Sequence, residues 1–324
     1  MAKILHKRNL HEYLRELAGK YSVYAPVLEG DTVFFRRMTG MTTVRLDYDT
    51  TSTSIKSVFF KPGEALLDYN GQDAVVPAHE EETIVFGLHL YDVQALQILD
   101  EAFKKPYEDE YYLRRRENSV IVAVEHDKVP NSFYGELGLE LNEGYDLLLT
   151  DEGEYYSIIV GSREGEKILK SEFIADGPEG KSMKSEDKCK PLDVNRIMNF
   201  LDKGPEHGLW HKLAKDCFAC GACAYVCPIC HCFDVKDSLD FKGESGERRR
   251  EWDSCMLADF SAVAGGGNFR GKRHERIHNW YHHKFSRAVK ERGKPDCVGC
   301  GRCITACPAK IDIHGILKKC EELG

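Results

Sequence analysis

The chain has 324 residues, 30% of them charged, a formal net charge of −8 and 13 cysteines. The length suits about two domains with separate cores, and the acidic balance argues against a general nucleic-acid binder. The first ten residues lack an apolar run of signal length, and no stretch approaches the roughly 18 apolar residues of a membrane span, so this many cysteines point to reduced thiols holding metal in an anaerobic cytoplasm.

Leu10, Leu14 and Leu17 recur at helical spacing and predict an amphipathic helix over 7–20. Tyr21–Val27 and Thr32–Arg36 read as strands around Glu29-Gly30-Asp31. Ile55–Phe60 is expected to be a strand closed by Pro62-Gly63. Asp92–Lys104 reads as a helix with Asp92 as N-cap and Val93, Leu96, Ile98 and Leu99 buried. Ser119–Val124 is an apolar strand, and Tyr145–Thr150 with Tyr155–Val160 form a hairpin. Between Ser171 and Pro191 the composition turns to Gly, Ser, Lys and Glu, which marks a linker. Beyond it strand patterns disappear, and helices are expected over Val194–Leu201, Leu209–Lys215, Lys272–Arg292 and Ile313–Glu322.

The chemistry sits in two cysteine blocks. Cys217, Cys220, Cys223 and Cys227 precede Pro228; Cys297, Cys300, Cys303 and Cys307 precede Pro308. Both follow C-x2-C-x2-C-x3-C-P, the run of bacterial-type ferredoxins that bind [4Fe–4S] clusters. Three cysteines at intervals of three let one turn place three thiolates on three corners of a cube. Gly221 and Gly301 occupy the slot where the loop must bend tightly. Structural zinc usually wants two ligand pairs separated by a spacer, and loop-closing disulfides want wider spacing. The fourth cysteine of each run commonly serves the other cluster. One cluster is therefore expected on Cys217, Cys220, Cys223 and Cys307, the other on Cys297, Cys300, Cys303 and Cys227. The eighty positions between Cys217 and Cys297 point to a helical ferredoxin arrangement within a larger redox complex.

The expected fold class is α+β: a mixed α/β domain over 1–170, a linker over 171–191, and an α-helical ferredoxin-like domain over 192–324 carrying two [4Fe–4S] clusters. With Pro62-Gly-Glu64-Ala-Leu, Gly144-Tyr-Asp-Leu-Leu-Leu-Thr150, Cys227-Pro-Ile-Cys230-His-Cys232-Phe-Asp234, Trp252-Asp-Ser-Cys255 and the second block, nearly the whole chain resembles the β (iron–sulfur) subunit of soluble cytoplasmic [NiFe] hydrogenases, or sulfhydrogenases. It is similar also to the related iron–sulfur A subunit of anaerobic sulfite reductase. The resemblance implies a non-catalytic electron-transfer subunit of a cytoplasmic hetero-oligomer. Its partners would be a flavin-containing NAD(P)H- or ferredoxin-linked subunit and a further redox or catalytic subunit. The corresponding subunit of a dissimilatory-type anaerobic sulfite reductase is the alternative within this class, and a zinc-stabilised binding module the alternative outside it.

The departures from the family are informative. The family commonly has cysteines where this chain has Tyr91, His126, Ser132 and Tyr134, and no cysteine precedes Cys189. Tyr and Ser are poor substitutes for soft thiolates, so the resemblance implies that a family cluster of the N-terminal domain is lost, leaving a docking or scaffolding element. Cys230, Cys232 and Cys255 match family positions outside both runs. They are candidates for a third metal site, completed by His231, Asp234 or Cys189, or are small apolar packing residues.

Three further signals need weighing. His274-Glu275-Arg-Ile-His278 spells a zinc-protease sequence, but His274, His278 and His282 read better as a polar helix stripe. Gly266–Lys272 nearly completes a phosphate loop but has Arg273 where Ser or Thr should hold magnesium. Residues 270–294 carry nine Lys or Arg against two acidic residues, interleaved with Trp280, Tyr281 and Phe285, which suits a partner-docking face or counter-charge for clusters. No G-x-G-x-x-G occurs, so no flavin or nicotinamide site is expected within the chain.

Overall fold

In the structure, a computed structural model, residues 2–39, 42–71, 73–76, 81–127, 129–139, 143–178, 180 and 189–324 are described. Residues 181–188, the middle of the expected linker, lie outside them. The chain forms two units, Met1–Ile55 with His79–Cys189 and Lys56–Ala78 with Lys190–Gly324.

In chain order the first unit opens with β1 (Ala2–His6), α1 (Leu10–Ala18), β2 (Ser22–Glu29) and β3 (Thr32–Arg37). The chain then contributes α2 (Lys56–Phe59), β4 (Glu64–Asn70) and β5 (Asp73–Val75) to the second unit. It returns to the first for β6 (Thr83–His89), α3 (Leu90–Lys104), α4 (Glu110–Glu117), β7 (Ser119–Val124), β8 (Leu147–Asp151), β9 (Tyr155–Val160), α5 (Arg163–Ile168) and β10 (Ile174–Gly177). The second unit is completed by α6 (Val194–Leu201), α7 (Gly208–Asp216), α8 (Ala222–Tyr225), β11 (Phe233–Leu239), β12 (Ser245–Trp252), α9 (Arg273–His282), α10 (Ala288–Arg292), α11 (Arg302–Thr305) and α12 (Ile313–Leu323). A π-turn over His283–Arg287 joins α9 to α10.

The first unit is built on an eight-stranded sheet in the order β10-β1-β9-β8-β7-β6-β2-β3, with β2, β6, β7 and β8 parallel. Strands buried on both faces read as continuous apolar runs. Ser119–Val124 is such a run, and Ile121–Val124 are all buried. Leu14 and Leu17 of α1 join Val23, Phe86, Val122 and Leu149 in the core. The N-cap of α3 is His89, not Asp92, which lies buried in the first turn.

Two expectations fail in the second unit. Ile55–Phe60 is not a strand: Lys56–Phe59 is one helical turn with Val58, Phe59 and Phe60 buried. A short apolar run has no periodicity that separates a strand from a buried turn. The second unit is also not purely helical, because β11, β12, β4 and β5 form a four-stranded antiparallel sheet. Strand β12 pairs with β4, so Pro62–Leu66 belongs to this unit and not to a continuous 1–170 domain.

This sheet is hard to read from sequence because charge, not apolar alternation, writes its pattern. Arg248 pairs Asp237 at 2.6 Å and Lys236 pairs Glu251 at 2.7 Å across the exposed hairpin. Underneath, Arg250 and Glu64 form a buried ion pair at 2.5 Å, with the guanidinium over the Phe60 and Phe233 rings.

Candidate metal centre

The two cysteine blocks fold into the same loop. After α7 the chain extends at Cys217, passes Ala219 at φ 54° and Gly221 at φ 78°, and enters α8. The second block passes Gly299 at φ 61° and Gly301 at φ 77° into α11. A Cβ on Gly221 would lie 3.0 Å from the Tyr225 ring and 3.1 Å from Ser254 Cβ. The loops turn backbone donors onto sulfur: Ala219 N–H donates to Cys217 Sγ at 3.3 Å, Gly299 N–H to Cys297 Sγ at 3.4 Å, and Ile311 N–H to Cys307 Sγ at 3.3 Å. Hydrogen bonds to sulfur favour its charged form.

The runs interleave. Cys217 feels the thiols of Cys307 and Cys220, and Cys223 those of Cys217, Cys227 and Cys220. Cys297 feels Cys227 and Cys300, while Cys303 feels Cys300, Cys297 and Cys227. Cys303 feels Cys223 as well, so Cys227 neighbours cysteines of both runs, and Cys307 neighbours Cys217. Burial pushes the Cys223 and Cys297 thiols up to about 12, and neighbouring thiols add to it. A polycation placed among such groups offsets both effects, because it deprotonates coordinating thiols and neutralises their mutual repulsion.

Thiols of both runs border one open space. Cys217, Cys220, Cys223, Cys303 and Cys307 line a cavity of about 60 Å³ walled by Ile277, Trp280 and Tyr281. One water needs only roughly 10–15 Å³. Among the described residues no three cysteine sulfurs lie within 4.8 Å of one another. A tetrahedral zinc with bonds of ~2.3 Å would need sulfurs about 3.8 Å apart. Soft thiols in two like loops are the donor type that [4Fe–4S] clusters take, and among the described residues no close thiol trio is set for a single ion.

A second thiol group adjoins the first. Cys230 donates to Cys227, holding the Cys227 thiol down as the anionic member of the pair. Cys255 donates to Cys232 and brings it down to about 6. The candidate third-site cysteines are thus arranged in pairs and not as a close trio. Asp234 instead accepts its own strand's Val235 N–H, and His231 bonds Ile229 O at 3.0 Å.

Two buried lysines, which sequence reasoning did not single out, face these sulfurs. Lys284 Nζ donates to Cys227 Sγ at 3.4 Å and to Asp296 O at 2.9 Å. Burial opposes its charge, but the Cys227, Cys230 and Cys297 thiols and Asp296 outweigh burial and hold the ammonium well above its usual range. Lys56 Nζ donates to Ala224 O at 3.0 Å and Cys230 O at 2.8 Å and lies over the Trp252 ring. Its charge is disfavoured by burial, only partly offset by the thiols. In the sequence Lys284 is visible only as one of nine cations in the basic run. Trp280, Tyr281 and Phe285 of that run are buried, so they do not form a docking face.

The zinc-protease spelling does not assemble. His278 Nε2 bonds Leu201 O at 2.8 Å, His282 meets Asp202 at 3.2 Å, and Glu275 accepts the Lys272 N–H at the start of α9. In the first unit, three of the positions that depart from the expected family cysteines meet as rings. The Tyr91 and His126 rings are 4.9 Å apart, His126 and Tyr134 5.7 Å, and His89 stacks on His126 at 4.1 Å. Ser132 bonds Val129 O. Burial lowers His126 to about 4, so its ring is neutral at physiological pH.

A 4Fe–4S dicluster domain model matches residues 216–311, which contain both blocks. Over 329 aligned positions the chain is 30% identical to the sulfhydrogenase 2 subunit beta of Pyrococcus furiosus, covering 98% of each chain. The chain belongs to the sulfhydrogenase β-subunit family. No solved structure matches it. For this family member the mixed α/β sheet region precedes the helical segment that overlaps the dicluster domain. Among its described residues no helix is long and apolar enough to cross a membrane.

Proposed function

We propose that this chain is the electron-relay subunit of a multi-subunit oxidoreductase and performs no bond chemistry itself. Cys217, Cys220, Cys223 and Cys307 would hold one [4Fe–4S] cluster, and Cys297, Cys300, Cys303 and Cys227 the other. The observation that supports this reading is the pair of matching cysteine loops, with Cys227 near Cys297 and Cys303, and Cys307 near Cys217. Bound clusters supply one-electron carriers at potentials set by charge, burial and hydrogen bonds to sulfur. The chain's own residues then have definable tasks. The Ala219, Gly299 and Ile311 amides donate to ligand sulfur, Trp280 and Tyr281 wall off water, and Lys284 holds positive charge against Cys227.

Electrons would pass between a flavin-bearing NAD(P)H- or ferredoxin-linked subunit and a hydrogenase-like redox subunit in the cytoplasm. The named relative, a sulfhydrogenase β subunit, supports this wiring over a sulfite reductase. The aromatic stack at Tyr91, His126 and Tyr134 supports a first unit that holds no cluster and serves in docking. Anaerobic co-purification with identification by mass tests the wiring. A flavoprotein and a NiFe-ligand subunit are expected, and a sirohaem subunit would move the assignment to sulfite reductase.

A third metal site at Cys230, Cys232 and Cys255 is the second reading, favoured by the ready-ionised Cys232. Loss of iron in Cys230→Ala supports it, and an unchanged iron content retires it.

A further inference from the structure

Away from the cysteines, the second unit gathers a different donor set. Glu206 lies just before α7, His211 is on the first turn of α7, and His274 is at the start of α9. Their ligand atoms all fall within 4.8 Å of one another. His274 Nε2 is 3.4 Å from Glu206 Oε1, and His211 Nε2 is 3.5 Å from Glu206 Oε2. The imidazole centroids are 4.0 Å apart.

These separations are long for hydrogen bonds, which for N–H···O fall at about 2.7–3.2 Å. Each runs to a different carboxylate oxygen, so binding one ion needs Glu206 to turn one oxygen to both imidazoles and His211 to swing away from His274. With Zn–N and Zn–O bonds of ~2.0–2.1 Å, adjacent ligand atoms stand about 3.3–3.4 Å apart. Two imidazoles and one carboxylate are borderline donors suited to zinc and unsuited to a thiolate-held cluster. His274 is 9% exposed and fixed by its helix, while His211 and Glu206 are 46% and 71% exposed and free to close on an ion.

We propose that Glu206, His211 and His274 form a zinc-class divalent metal site that clips α7 to α9, with its fourth position open to solvent. The zinc-protease spelling thus contributes only its first histidine, and the partners come from α7 and the residue before its cap. The site shares no ligand with the cysteine runs and does not depend on what those runs hold.

The test uses the full chain, purified anaerobically with its iron content measured, stripped of loosely held metal by mild chelation and dialysed against Zn²⁺. The wild type should take up one zinc per chain more than His211→Ala or Glu206→Gln, and bind that zinc at least tenfold more tightly than either. His278→Gln should retain the site, and iron content should be unchanged in the two exposed-residue variants. X-ray absorption at the zinc edge should show nitrogen and oxygen neighbours, and added zinc should raise the melting temperature of the wild type only. Equal zinc uptake by wild type and His211→Ala, or zinc with sulfur neighbours, overturns the proposal.

Discussion

Replacing Lys284 with Met should lower the potential of the cluster that includes Cys227. The ammonium lies 3.4 Å from Cys227 Sγ and is 4% exposed, so solvent screens it little. At an effective dielectric constant of about 20, a full electron on that sulfur would be stabilised by about 5 kcal/mol. An electron shared over four ligands places about a quarter of that charge beside Lys284, which gives roughly 1 kcal/mol, or about 50 mV. Met keeps most of the side-chain volume and removes the charge; Lys284→Arg keeps the charge. Anaerobic redox titration followed by EPR, on proteins first shown to carry equal iron, would read the shift. The expected result is a fall of tens of millivolts in Lys284→Met and a smaller change in Lys284→Arg. Equal potentials in wild type and both variants would refute the assignment of Lys284 as counter-charge.

Two other substitutions probe the frame of the second unit. Glu64→Ala strands the buried Arg250 and should destabilise the unit by about 3–5 kcal/mol, whereas Glu64→Leu with Arg250→Met should recover most of the loss in thermal melts. Ala219→Gly relieves left-handed strain worth about 1–2 kcal/mol and adds about 0.5–1 kcal/mol of unfolded-state entropy. It should therefore raise stability by up to ~1.5 kcal/mol, while Gly221→Ala, crowded by Tyr225 and Ser254, should lower it.

What the sequence made legible follows from where local pattern determines the outcome. Ser119–Val124 and Val194–Leu201 announce themselves because burial gives them a continuous run or a helical stripe. The cysteine runs announce themselves because cluster chemistry demands their spacing. The β11–β12 hairpin stayed hidden because its partners are charges placed across strands, as in Arg248 with Asp237. Lys56 and Glu64 stayed hidden because their significance depends on residues nearly two hundred positions away. The His211–His274 pair had half a signal, a zinc-like spelling on α9, but its other half lies on α7, where no spacing rule reaches.

The central claim is that the second unit holds two [4Fe–4S] clusters with crossed fourth ligands. The most direct measurement is iron and acid-labile sulfide per chain in anaerobically purified wild type, Cys227→Ala and Cys307→Ala. The account predicts about eight irons and eight sulfides in the wild type. Cys227→Ala should perturb the cluster held by the second run, and Cys307→Ala the one held by the first, each resolved by EPR. A colourless protein holding zinc without sulfide, or variants that each perturb the cluster of their own run, would contradict it.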